Sequence, residues 1–344
     1  MHQPMSPRPS LGQTPYFLSL PGIRSRLVLS LLGLVLTACQ TPMGPAGPVG
    51  LGSGPSSATP EVPKPAVPAS PVTTPPMAEI KWRSPRLALA LGGGAARGFA
   101  HIGVIQVLEA EGIKPELVTG TSAGSFVAAL YANGKNGQQI EQLALGLEET
   151  VITDWTLPFM GRGLIRGDAL ARYLNQQLGV RTIEAARVPL GIVATRLDDG
   201  ESVVFRTGDL ATAVRASSAV PGVFEPVNIS GRDHVDGGVT SSVPVDAARA
   251  MGAEVILAVD ISSRPEDVDA TNVLKILLKT SNIMGKRISQ YELKNASVVV
   301  TPKLEGISSI DFANRRRAIE AGRQAMRQAL PALKKAMAPR AEPN

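Results

Sequence analysis

The chain has 344 residues, 44% of them hydrophobic and only 4% aromatic, so it can bury a sizeable core made mostly of aliphatic side chains. Its 35 basic and 29 acidic residues give a formal net charge of +6, too small to argue for a nucleic-acid partner. The three histidines (His2, His101, His234) and one cysteine (Cys39) exclude an internal disulfide and a His-rich metal centre, and neither metal nor cofactor is expected.

Arg24-Ser25-Arg26 precedes an apolar run at 27–36. That run is too short to span a bilayer, which takes about 20 residues, and it reads as the core of a signal peptide over residues 1–38. Removing it takes away Arg8, Arg24 and Arg26 and leaves a net charge of +3. The segment ends in Leu36-Thr37-Ala38-Cys39, which resembles the bacterial lipobox. The resemblance implies a lipid-acylated Cys39 at the new N-terminus and anchorage in the cell envelope. Because Gln40 and not Asp follows, it also implies the periplasmic face of the outer membrane. Residues 39–80 form the next region; eleven prolines fall between 40 and 77, among Gly, Ala, Ser and Thr. This composition cannot build a core. As an extended tether it reaches on the order of 100 Å, at about 3.1 Å per residue.

A folded domain is expected over 81–338, with a disordered tail at 339–344. Residues 86–91 read as a short buried strand ending in glycines. Residues 98–111 have helical spacing, with Ile102, Ile105 and Leu108 among the apolar positions. A second strand (116–121) and helix (122–132) follow. The segment 145–168 is a candidate cover for a site. Residues 190–196 and 202–206 flank Asp198-Asp199-Gly200, a hairpin signal. A helix at 211–218 stops before Pro221-Gly222, another covers 243–251, and 254–260 is a buried strand. A long helix is predicted over 315–330, with Arg315-Arg316-Arg317 on its solvated face. Strands interleaved with helices predict an α/β layer fold with a largely parallel central sheet. No internal repeat is found.

Three short motifs fit together as parts of one site for acyl transfer. Gly120-Thr121-Ser122-Ala123-Gly124 lies between a predicted strand and helix, the context of a nucleophile elbow. Small residues two before and two after the serine allow the tight turn, and the helix N-terminus faces the serine oxygen. Gly92-Gly93-Gly94-Ala95-Ala96-Arg97-Gly98 leaves backbone N–H groups uncovered at a helix start, which suits an oxyanion. A dinucleotide fingerprint needs glycine where Arg97 stands, and the Gly-Lys-Ser/Thr ending of a P-loop is absent. Arg97 either adds positive charge or pairs structurally. Asp236-Gly237-Gly238 supplies a carboxylate in a turn. For the base two readings stay open at this point. Asp236 can act directly, or His234 can act with an acid between Ser122 and it, such as Asp198 or Asp199; no histidine follows His234, so Asp236 cannot be the acid of a triad in the α/β-hydrolase order. His101 reads as a structural helical histidine.

Together the motifs resemble the patatin-like phospholipase family, over roughly residues 85–262. The segment Arg215-Ala216-Ser217-Ser218-Ala219-Val220-Pro221-Gly222-Val223-Phe224 carries the resemblance too. The resemblance implies a three-layer fold with helices flanking a central sheet. It implies a dyad of Ser122 as nucleophile and Asp236 as proton acceptor, without histidine. It places Gly92, Gly93 and Gly94 around the oxyanion, with Arg97, Gly98, Gly120, Gly124, Gly237 and Gly238 in support. One departure is Ser241, where many relatives carry asparagine. The implied activity is hydrolysis of phospholipid or another acyl ester. The rival readings are a non-catalytic lipid-binding envelope lipoprotein and a triad esterase using His234.

Overall fold

The computed structural model describes residues 81–147, 162–179, 181–262, 271–308 and 312–341. The chain divides into two units, 1–74 and 75–344, and every described residue belongs to the second. The expected signal peptide, Cys39, the proline-rich segment and most of the suggested cover at 145–168 therefore lie outside the described residues.

The strands are β1 (Trp82–Arg83), β2 (Leu87–Leu91), β3 (Leu117–Thr121), β4 (Leu190–Arg196), β5 (Ser202–Phe205), β6 (Val227–Ile229), β7 (Arg232–Asp236), β8 (Val255–Val259), β9 (Val298–Val300) and β10 (Arg340–Ala341). The helices are α1 (Phe99–Ala110), α2 (Ala123–Ala132), α3 (Gly137–Gly146), α4 (Asp168–Gln177), α5 (Leu210–Ser217), α6 (Val245–Ala250), α7 (Val273–Glu292) and α8 (Arg315–Ala336). The main sheet runs β6-β7-β4-β3-β2-β8-β9, with β5 also paired to β4. From β4 to β9 neighbouring strands are parallel; β5, β7 and β6 join antiparallel. The expected α/β class and largely parallel sheet are present, and the antiparallel strands gather on the side that carries Asp236.

The reason for this arrangement is visible in β2 and β8. Leu87–Leu91 and Val255–Val259 are apolar throughout and fully buried, as strands covered on both faces must be. One face packs on α1, α2 and α8 and the other on α6. Helix α1 is buried along most of its length. It meets α8 with almost no gap: a Cβ added at Gly103 would sit 2.0 Å from Ile319 O, and one at Gly322 would sit 2.0 Å from Ala100 O.

Two expectations are corrected. The last helix does not stop at Leu330 but continues through Pro331 to Ala336. Leu333, fully buried, docks the extra turn on the core and offsets the hydrogen bond that proline removes. The tail is not wholly irregular, because Arg340–Ala341 pairs antiparallel with Trp82–Arg83. Arg83 also forms an ion pair with Glu254, just before β8.

Candidate active site

The sheet brings the three motifs to the edge formed by the C-terminal ends of its parallel strands, where open α/β sheets form their sites, with Asp236 set there by the antiparallel β7. β2 runs into the glycine loop and β3 runs into Ser122. β4 lies between β3 and β7 and sets the height of the aspartate. Thr121 is in register with Val193, and the next residue of β4, Ala194, is in register with Asp236. Ser122 and Asp236 thus stand at one level, separated by the width of β4. Gly237 then crosses that strand. A Cβ there would lie 2.3 Å from Val193 O and 3.0 Å from Thr121 Cγ2, so only glycine fits.

Ser122 adopts φ 52°, ψ −125°, a backbone conformation that side chains rarely take. Such strain typically costs about 1–3 kcal/mol and persists where the surroundings dictate it. Here they do so from both sides. A Cβ at Gly120 would meet Ser125 Cα at 2.5 Å, and one at Gly124 would meet Leu91 O at 2.1 Å. The Ser122 N–H donates to Ser217 Oγ at 2.9 Å, and Ser217 Oγ donates to Val193 O at 2.6 Å. Ser125 Oγ donates to Ser122 O at 2.6 Å. Helix α2 starts immediately after, with its positive dipole end at the serine.

Asp236 ends β7, and both it and Ser122 are buried. Its N–H donates to Ala219 O at 2.9 Å, and Thr195 Oγ1 donates to its carbonyl at 3.0 Å. Its Oδ1 accepts from the Gly238 N–H at 2.7 Å. Burial pushes the Asp236 carboxyl up to about 6, opposed by the Ser122 hydroxyl and the Gly238 N–H, which favour the charged form. The hydroxyl and the carboxylate therefore face each other in a dry setting.

The glycine loop needs a correction. The Gly92 N–H donates to Val259 O (3.1 Å) and the Gly93 N–H to Ser242 O (2.9 Å), so both are committed to holding the loop on β8 and on the segment after Asp236. The Gly94 N–H has no acceptor among the described residues. The glycines are required by space more than by backbone angle. Added Cβ atoms at Gly92, Gly93 and Gly94 would meet Val259 O at 2.9 Å, Ser122 Cβ at 3.2 Å and Ile261 at 2.8 Å. Within this loop the left-handed residue is Ala95, at φ 48°. Arg97 is buried, and its N–H donates to Gly94 O at 3.1 Å to close the 3-10 turn Ala95–Gly98. Gly98 lies against Ala123, 2.8 Å from an added Cβ.

The two described histidines make other contacts. His101 is fully buried in α1 with Nε2 2.8 Å from Gly92 O, which fixes the proton on that nitrogen. Burial lowers its pKa to about 4, so it is neutral and braces the loop. His234 packs its ring edge-on against Phe205, with centroids 5.3 Å apart, and sets Nδ1 3.1 Å from Arg232 O.

Two residues were missed from sequence. Ser217 pins the elbow as described above; it lies in the Arg215–Phe224 segment, but its spacing gives no hint of its partner. Glu292, near the C-terminus of α7, accepts from Ser241 Oγ and from the Val243 N–H (3.2 Å). Burial pushes its carboxyl up to about 7. Ser241, the departure noted in sequence, is thus tied to a buried acid that holds the segment after Asp236. More than 50 residues separate Glu292 from the aspartate turn, and no sequence signal joins them.

Comparison with known proteins finds relatives in sequence and in fold. An uncharacterized NTE family protein of Mycobacterium tuberculosis is 35% identical over 179 residues, covering 52% of this chain and 50% of that protein. Patatin-like phospholipase domain-containing protein 6 of Homo sapiens is 35% identical over 188 residues, covering 52% of this chain and 14% of that one. The chain thus spans about half the length of the mycobacterial relative and a small part of the human one. The crystal structure of VipD from Legionella pneumophila shares the fold, with a TM-score of 0.50 and 15% identity over 73% of this chain and 67% of that one. Residues 89–249 match the model of the patatin-like phospholipases, and this part of the chain is similar to that family.

Proposed function

We propose that this chain is a serine lipid acyl hydrolase, of phospholipase A, lysophospholipase or esterase type, working through a Ser122–Asp236 dyad. The observation that carries the reading is the pairing of a strained, buried serine with a buried carboxylate whose pKa is near 6. A carboxylate at its ordinary value near 3.9 is a weak base; one near 6 is still ionised at neutral pH and takes a proton more readily. Ser122 Oγ attacks the ester carbonyl while its proton passes to Asp236. Negative charge collects on the former carbonyl oxygen, where the Gly94 N–H and the α2 N-terminus stabilise it. Asp236 returns the proton to the leaving alcohol, leaving an acyl-serine. Water then gives a proton to Asp236 and attacks the acyl carbon, and the proton goes back to Ser122 as the acid departs.

Acylation at Cys39 and the proline-rich segment 39–80 complete the proposal: they would hold the domain at the periplasmic face of the outer membrane. Palmitate labelling of the chain in a bacterial host, compared with Cys39→Ser, tests this; equal labelling would refute it.

The activity is tested with chromogenic esters and phospholipid vesicles. Ser122→Ala and Asp236→Asn are each expected to lower kcat by about 10³-fold or more. His234→Ala is expected to retain activity. Full turnover in either dyad variant, or its loss in His234→Ala, overturns the assignment.

A further inference from the structure

Helix α7 has two unlike faces. Its inner face meets the segment after Asp236. Glu292 holds Ser241 and the Val243 N–H, and Gly285 lies so close that an added Cβ would be 2.8 Å from Ser242 Oγ and 3.5 Å from Gly238 O. The outer face carries Val273 (74% exposed), Ile276 (49%), Leu277 (56%), Ile283 (42%), Met284 (56%) and Tyr291 (70%). Six of the eleven large apolar side chains exposed among the described residues therefore sit on this one helix, whereas such residues are usually scattered singly.

Their spacing places them in an arc of roughly 120° at 3.6 residues per turn. Lys275, Lys279 and Lys286 form a column along one flank of that arc, and Arg287 lies within it. No acidic residue occurs between 273 and 291. An apolar arc edged with lysines is the pattern of a helix that lies in a membrane interface, its apolar side chains in the acyl boundary and its ammonium groups at anionic headgroups. No helix among the described residues, α7 included, is long and apolar enough to cross a bilayer.

We infer that the outer face of α7 docks this domain on the surface of an anionic phospholipid bilayer. Apolar exposure alone would also suit a second copy of the chain, but a basic flank on an acid-free helix favours an anionic surface over an identical basic one. The inference rests on the hydrolase reading only in that the same surface would then supply substrate. Through its inner face α7 also braces the segment after Asp236, so docking would set that surface beside the dyad's support.

The test uses the full chain with Cys39→Ser, so that acylation plays no part. Met284→Cys then provides a single thiol for a polarity-sensitive fluorophore on the arc, and Gln138→Cys provides one on the exposed surface of α3 as control. Vesicles of phosphatidylcholine with and without phosphatidylglycerol are titrated in. A blue shift at position 284 but not at 138, requiring phosphatidylglycerol and weakened by salt, is expected. Adding Val273→Glu and Leu277→Glu should raise the lipid concentration at half-shift by about tenfold or more. No shift at 284, or an equal shift at 138, overturns the inference. So does a shift indifferent to phosphatidylglycerol, or one that grows with protein concentration without vesicles, which would mark self-association. Repeating the titration with Ser122→Ala separates the two proposals: failure of the dyad would leave the shift intact.

Discussion

Replacing Asp236 by Asn should stabilise the protein while inactivating it, and the gain should depend on pH. The Asp236 carboxyl moves from 3.8 to about 6 on folding, chiefly because burial disfavours its charge. At about 1.4 kcal/mol per unit, the ionised form costs the fold about 3 kcal/mol relative to the protonated one. Because the folded value lies above the unfolded one, the folded state binds more protons between pH 4 and 6, and stability falls as pH rises through that window. Asparagine has no charge to bury and keeps an oxygen for the Gly238 N–H, now at 2.7 Å from Oδ1. Asp236→Asn is therefore expected to exceed wild type by about 2–3 kcal/mol at pH 8, the difference shrinking to near zero at pH 4. Urea unfolding across this range measures it. Glu292, also raised by burial, contributes to both proteins and cancels in the difference. A pH-independent difference, or a loss of stability at pH 8, would refute the claim that the carboxylate is held in a dry site.

Other consequences follow from the same geometry. The logarithm of kcat/KM should fall with unit slope below about pH 6 as Asp236 is protonated; a profile flat to pH 4 would remove Asp236 as the base. Ser122→Gly should be more stable than Ser122→Ala by about 1 kcal/mol, because glycine relieves the φ of 52° that alanine keeps; thermal unfolding of the two inactive variants decides. Gly124→Ala should cost about 3 kcal/mol or more, since its methyl must displace the Leu91 carbonyl. Gly322→Ala should lose a similar amount at the α1–α8 crossing, with the KM of the remaining folded enzyme unchanged; a shifted KM would mean that the crossing shapes the site.

The elements that were legible are those whose apolar pattern and local signals agree. β2, β3, β8, the β4–β5 hairpin, and helices α1, α2 and α5 fall within a residue or two of the expected limits. Ser122, Asp236 and the glycine loop stand out as candidates in the sequence because small residues flank them. What stayed hidden depends on contacts distant in sequence. The commitment of the Gly92 and Gly93 N–H groups follows from Val259 and Ser242, which only the sheet brings near. Helix α7 escaped because its described buried positions are Gly285, Ser289 and Glu292 while six of its apolar residues are exposed, the reverse of a helix that packs on a core, and because Ser281, Asn282 and Gly285 interrupt its middle. Helices α3 and α4 are short and mostly polar, and α3 owes its start to an Asn136–Gln139 capping box.

β4 has a consequence for how this site can change over time. It contributes no reactive group, yet its hydrogen-bond register sets Ser122 level with Asp236. One residue inserted between Val193 and Ala194 would slide the aspartate by about 3.3 Å and turn its side chain to the opposite face of the sheet. Loops on either side, such as 197–201, carry no such constraint and are free to lengthen or diverge. The strand without chemistry is therefore the part of the site least able to tolerate a change in length.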